Sequence, residues 1–147
     1  MEIQMKETIN LLKECDAGLE MAISSLEQVK PEAKADNFTN MLDKYYNNHI
    51  KIQKDTDQKL VEYNSDGKKA NPFAEMMSSM KTSFKITTAD RTDAEIADLM
   101  IDGCNMGIKS VSKYMNQYQN ANQEIMQLAN DIIVLEQNFA NELRQYL

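Results

Sequence analysis

Few side chains in this sequence are suited to chemistry. There is one histidine, His49, and there are two cysteines, Cys15 and Cys104. His49 lies in DNFTNMLDKYYNNHIKIQKDTDQKLVEY, where Phe38, Leu42, Tyr45, His49, Ile52, Thr56 and Tyr63 fall on one side of an α-helix. Cys15 and His49 stand at nearly equal distances on either side of Pro31, and Cys104 and Glu136 at equal distances on either side of Asn120. If Pro31 and Asn120 mark two hairpin ends, all four side chains share the middle layer of a bundle. Two thiolates, an imidazole and a carboxylate suit zinc in four-coordinate geometry. The plainer reading has the cysteines as small buried hydrophobes and His49 bonded to a tyrosine or a backbone group. Both readings stay open on the sequence. No Gly-x-Ser-x-Gly elbow, phosphate-binding glycine loop or Ser/Cys partner near His49 supports nucleophilic catalysis.

The elements that must position these residues are helices. In 147 residues there are only 4 glycines and 2 prolines, too few for the turns of a β-rich chain. Met, Leu, Ala, Glu, Lys and Gln are abundant and favour helix, so the class is all-α, with one domain expected over 1–147. The formal charge of -7 argues against a nucleic-acid partner. Lys51, Lys54 and Lys59 alternate with Asp55, Asp57 and Glu62, which is the pattern of a solvated helix face. No apolar run approaches a membrane span, and no secretory signal is expected. Two distant cysteines without CxxC spacing fit a reducing, cytoplasmic location.

Periodicity predicts helix 1 over Glu2–Gln28, with Ile9, Leu12, Cys15, Leu19, Ile23 and Leu26 inward. Helix 2 is predicted from Pro31 to Tyr63, forming an antiparallel hairpin with helix 1. Asn64-Ser65-Asp66-Gly67 then reads as a turn. A long crossover follows, with a short helix capped by Asn71 and lined by Phe73, Met76, Met77, Met80 and Phe84. Thr92 and Glu95 have the spacing of a capping box at the start of helix 3, whose inward residues include Ala97, Ile101, Cys104, Ile108 and Val111. Helix 4, with Ile125, Leu128, Ile132, Leu135, Phe139 and Leu143 inward, is separated from helix 3 only by the expectation that Asn120 caps it. Gly103 and Gly107 form a G-x-x-x-G step, read either as close helix approach against Tyr45 or Tyr46 or as the wall of a ligand cavity.

ETINLLKECDAGLEMAISSLEQV, with its apolar pair Leu11-Leu12 and its cluster Asp16-Ala17-Gly18, resembles the first helix of small bacterial ferritin-like proteins of unknown function related to rubrerythrin. NPFAEMMSSMKTSF and DGCNMGIKSVSKYMNQY are similar in placement to segments of those proteins, and spore-coat bundles are a second resemblance. The resemblance implies a ferritin-like four-helix bundle, two antiparallel hairpins joined by a long crossover. It also raises the expectation of di-iron chemistry, which takes a Glu from each of two helices and Glu-x-x-His from the other two. This chain departs from that pattern. It has a single histidine, Tyr46 stands three residues before it, and Cys104 or Ile108 occupies the place of a helix 3 carboxylate. Glu136 and Asp16 fall just beside the inward stripes. No standard di-iron site and no cofactor are therefore expected. Zinc or iron at His49, Cys15, Cys104 and Glu136 is the alternative. The functional expectation is a non-enzymatic structural or interaction protein, a homodimer or larger homo-oligomer. The alternatives are a metal- or small-ligand-binding protein built around His49, or a component of a spore-coat assembly.

Overall fold

The computed structural model describes residues 2–63 and 90–147. Among these residues the chain forms four long α-helices: α1 (Glu2–Val29), α2 (Asp36–Glu62), α3 (Asp93–Gln117) and α4 (Gln123–Leu143). Each is long enough to run the length of the bundle, roughly 30–40 Å at 1.5 Å per residue. None is both long and apolar enough to cross a membrane. The helices hold together by the sides the periodicity marks. Leu12, Leu19 and Leu26 of α1 are fully buried, as are Phe38 and Leu42 of α2, Ala97 of α3, and Ile125, Phe139 and Leu143 of α4.

The ends show where local sequence signals held and where tertiary partners replaced them. α3 opens on the expected capping box: Thr92 accepts from Glu95 N at 3.1 Å, and Glu95 accepts from Thr92 N at 3.0 Å. α2 does not begin at Pro31. Pro31 lies in a 3-10 turn, Lys30–Glu32, and the chain is extended at Ala35 before α2 starts. Asp93 of α3 holds the chain just before α2, accepting from Lys34 N at 2.8 Å and from Ala35 N at 3.0 Å. Beside it Arg91 pairs with Glu32 at 2.7 Å. α4 is capped by Asn122, which accepts from Ile125 N at 3.2 Å, and not by Asn120. Asn120 instead binds Glu7 of α1 through its backbone N (3.0 Å) and its side chain (3.1 Å). Helices α3 and α4 are thus two rods separated by a turn.

These end contacts fix the topology. The start of α1, the end of α2 and the α3–α4 turn meet at one end, through Glu7, Thr8, Tyr63 and Asn122. The α1–α2 turn, the start of α3 and the end of α4 meet at the other, through Glu32, Lys34, Arg91, Phe38 and Tyr146. So α1 and α2 are antiparallel, α3 and α4 are antiparallel, and α2 and α3 run the same way, the arrangement that requires one crossover between two hairpins. The turn at 64–67 and the short helix expected at 71–84, with Met76, Met77 and Met80, lie outside the described residues.

The core divides along the bundle axis. One apolar cluster, near the α1–α2 turn, contains Leu26, Phe38, Leu42, Ile96, Cys104 and Phe139. A second, towards the α3–α4 turn, contains Leu11, Cys15, Leu19, Leu60, Ile125 and Ile132. Ile52, one turn beyond His49, packs against both. His49 and Glu136 belong to neither cluster and occupy the level where the two meet.

Candidate functional site

His49 is completely buried, and both ring nitrogens are engaged. Nδ1 lies 2.6 Å from the Tyr45 backbone oxygen. A carbonyl only accepts, so Nδ1 carries hydrogen and donates. Nε2 faces Glu136 Oε1 from α4. A single proton between Nε2 and Oε1 then satisfies both groups, as imidazolium with carboxylate or as neutral imidazole with carboxylic acid. Burial alone pulls the His49 pKa down, but the hydrogen bond and charge of Glu136, together with the Tyr45 carbonyl, outweigh it and leave the pKa raised above 6.5. Phe139, one turn from Glu136, sets its ring edge-on to the imidazole at 5.9 Å and stacks on Tyr45 at 4.5 Å, which fixes the rotamers of both.

The expected hydroxyl partners go elsewhere. Tyr45 OH donates to Glu142, and Tyr46 OH donates to Glu27 at 2.9 Å, so neither hydroxyl serves His49. Cys104 is buried against Glu136. Burial first, then the charge and hydrogen bond of Glu136, push its thiol far above the ordinary range. Cys15 is buried too, and burial with the charges of Glu14 and Asp16 raises its thiol to about 12. In this environment both cysteines are protonated thiols.

Glu136 has a second environment. Between α1 and α3 lies a cavity of about 460 Å³, lined by Cys15, Gly18, Leu19 and Ala22 of α1 and by Gly103, Cys104, Met106 and Gly107 of α3, with Ile132, Glu136 and Phe139 of α4 behind. The two glycines stand on its α3 side, Gly103 exposed and Gly107 half-buried. A Cβ on Gly103 would meet nothing within 4 Å, and one on Gly107 would meet only Glu136, at 3.8 Å from Cγ and 3.9 Å from Oε2. The close approach of this helix to Tyr45 or Tyr46 is therefore corrected: the G-x-x-x-G step opens a wall. Glu136 has one oxygen on His49, while the other lies beside the Gly107 opening.

Placing Glu136 and Asp16 beside the inward stripes understated their burial. Glu136 is 6% exposed and Asp16 1%, and its α1 neighbour Glu14 is 5% exposed. A helix packed against two neighbours buries more than a narrow seam, so the residues flanking the stripe are enclosed as well. Asp16 accepts from Gln53 at 2.7 Å, and its Oδ2 has no hydrogen-bond partner. Burial, then the neighbouring Asp57 carboxylate, push it up to about 7. Glu14 likewise has an unpartnered Oε2 and a pKa raised by burial, against the opposing pull of Tyr114 and Lys113. The cavity's α1 wall also went unseen, although Gly18, Ala22 and Ser25 recur at helical spacing opposite the two glycines of α3.

Of the four residues expected to share a layer, His49 and Glu136 are bonded and Cys104 lies against Glu136. Cys15 reaches the same cavity from α1. Among the described residues, no three His, Cys, Asp or Glu side chains converge so as to hold a metal ion. His49 has no free nitrogen, and the buried carboxylates of α1 each have one oxygen turned to Gln53 or Tyr114. This donor set does not fit the carboxylate-rich two-metal cradle of di-iron bundles.

Two antiparallel hairpins with α2 and α3 parallel define a ferritin-like four-helix bundle. Among solved structures, the chain is similar to the crystal structure of Dps92 from Deinococcus radiodurans, with a TM-score of 0.76 over 100% of this chain and 88% of that one. At 10% sequence identity that likeness concerns the fold. No protein-family model matches this sequence, and no curated protein matches it.

Proposed function

We propose that the protein works by binding, without catalysis, and holds a small, mostly apolar molecule in the cavity between α1 and α3. The observation that carries this reading is the cavity itself, walled on α1 by Gly18, Ala22 and Ser25 and on α3 by the helix glycines Gly103 and Gly107. Each of the two α3 glycines costs about 1 kcal/mol of helix stability relative to Ala, and no close contact repays it. The cavity volume of about 460 Å³ falls in the usual range for small-molecule sites, roughly 300–1,000 Å³, and its walls are chiefly Leu, Met, Cys, Gly and Phe. The His49–Glu136 pair is the buried polar anchor beneath it. Metal chemistry has less support, because the donors near His49 are committed to one another.

The test is calorimetric titration with butylbenzene, alongside native mass spectrometry of the protein as purified. The expected result is one molecule per chain, with binding lost in Gly103→Leu, whose side chain would occupy the cavity. A protein that takes up neither butylbenzene nor any co-purifying molecule, and carries stoichiometric metal by elemental analysis, would overturn the reading. Association into a homodimer or larger assembly, acting through the bundle surface, is part of the same non-enzymatic proposal. Light scattering over a range of concentrations tests it, and a monomer throughout would remove it.

A further inference from the structure

The cavity's charges say more about its occupant than its shape does. Two carboxylates line it, Glu136 at the back and the exposed Asp102 on α3, and no basic side chain is among its lining residues. Glu136 is deeply buried. Its Oε1 is taken by His49, the Cys104 thiol lies against the carboxylate, and its Oε2 lies 3.9 Å from where a Gly107 Cβ would stand, so the missing side chain leaves that oxygen an open side towards the cavity. We infer, resting on the cavity reading above, that the occupant is an apolar primary amine whose ammonium group bonds Glu136 Oε2 while its hydrocarbon body fills the space between Gly103, Leu19, Met106 and Ile132. A buried charge-assisted bond of this kind is stronger than one between neutral groups.

The pair behind the site keeps its shared proton when the amine binds, because without it Nε2 and Oε1 would face each other as two buried acceptors. Glu136 then accepts from His49 Nε2 at Oε1 and from the ammonium at Oε2. The His49–Glu136 pair is neutral as a unit, and the second lining carboxylate, Asp102, offsets the charge of the ammonium. The titratable groups around this point are His49 from α2, Glu136 from α4, Cys104 and Asp102 from α3 and Cys15 from α1, and burial keeps both thiols neutral.

Titration of the protein with phenylbutylamine, phenylbutanol and butylbenzene separates the outcomes. The amine should bind at least about tenfold tighter than the hydrocarbon. Glu136→Gln should erase the preference and leave butylbenzene binding in place. If that variant does not fold, Gly107→Ala reads the same contact, because its methyl covers Oε2, and it too should narrow the preference. Equal binding of amine and hydrocarbon, tightest binding by the alcohol, or a preference unchanged in Gly107→Ala would each overturn this inference while leaving the cavity reading intact. Failure of all three probes would overturn both.

Discussion

The two long seams of this bundle solve the same packing problem in opposite ways. Along α2 and α4 the space is filled by rings: Tyr45 stacks on Phe139 at an interplanar angle of 15°, and Phe38 meets Tyr146 with centroids 4.5 Å apart. The polar tips there are all engaged, with Tyr45 on Glu142 and His49 on Glu136. Along α1 and α3 the facing residues are Gly18, Ala22 and Ser25 against Gly103 and Gly107, and the same length of bundle holds a cavity. The end contacts at Glu7–Asn120 and Asp93–Lys34 close both seams alike, so residue size at mid-height decides which one is solid. The aromatic seam is filled at this height, and the glycine seam is not.

The largest effect should come from breaking the filled seam. Phe139 is almost fully buried, stacks on Tyr45 and contacts His49, so Phe139→Ala should cost about 3–5 kcal/mol in denaturant unfolding. A loss below about 1 kcal/mol would mean the seam collapses onto the space and the contrast between the two sides is overstated.

How far this contrast was legible in the sequence depended on what kind of information each feature uses. Periodicity and caps are local, and they placed Leu12, Leu19, Phe38, Phe139 and the Thr92–Glu95 box correctly, and with them the four rods and their pairing. Asn120 and Asn122 are equally good caps by type. What separates them is Glu7, more than a hundred residues away, which claims Asn120. Glu136 was recognised as a member of the His49 layer from its distance to the hairpin end, yet its burial depends on two helices that a single stripe cannot show. The G-x-x-x-G step signals only that no side chain is present. Whether a neighbouring helix or open space fills that place is decided by the opposite wall, and the small residues of α1 were the signal to read with it.

The pair that joins the two seams has a pH signature. In the native protein the His49 pKa is raised above 6.5, so its contribution to stability is fully present below pH 6.5 and is lost as pH rises through the folded value. In Glu136→Gln only burial and the Tyr45 carbonyl remain, burial dominates, and a neutral imidazole is favoured. That variant should instead lose stability as pH falls below 6.5. The difference between the two proteins should therefore widen to about 2–3 kcal/mol at pH 5.5 and narrow at pH 8.5, measured by urea unfolding at each pH. A difference that grows towards alkaline pH would show that the shared proton is misplaced.

Asp16 lies outside both seams, on the α1–α2 face, and should behave as a liability. Its folded pKa is raised to about 7 from 3.8, so the folded state keeps a proton that the unfolded state gives up, and stability falls as pH rises across that interval. Asp16→Asn preserves the bond to Gln53 and removes the charge. It should stabilise the protein by about 1–3 kcal/mol at pH 8, with the gain fading towards pH 4. Loss of stability at pH 8 would indicate that Oδ2 has a partner in solution that repays its burial.

The smallest change tests the open seam most directly. Gly103→Ala adds a methyl where nothing lies within 4 Å, and Gly107→Ala adds one at ordinary contact distance from Glu136. Neither meets a clash, so both should stabilise α3 by up to about 1 kcal/mol through helix propensity alone. A close-packed seam would respond differently, since a methyl forced between two helices costs about 1–3 kcal/mol. Gly103 is exposed, so its methyl reads helix propensity alone, whereas the sign at the half-buried Gly107 separates open space from a tight interface without any ligand. A Gly107→Ala variant more stable than the native protein would mean that this glycine is maintained at the expense of stability, which is the expectation for a position kept open for an occupant.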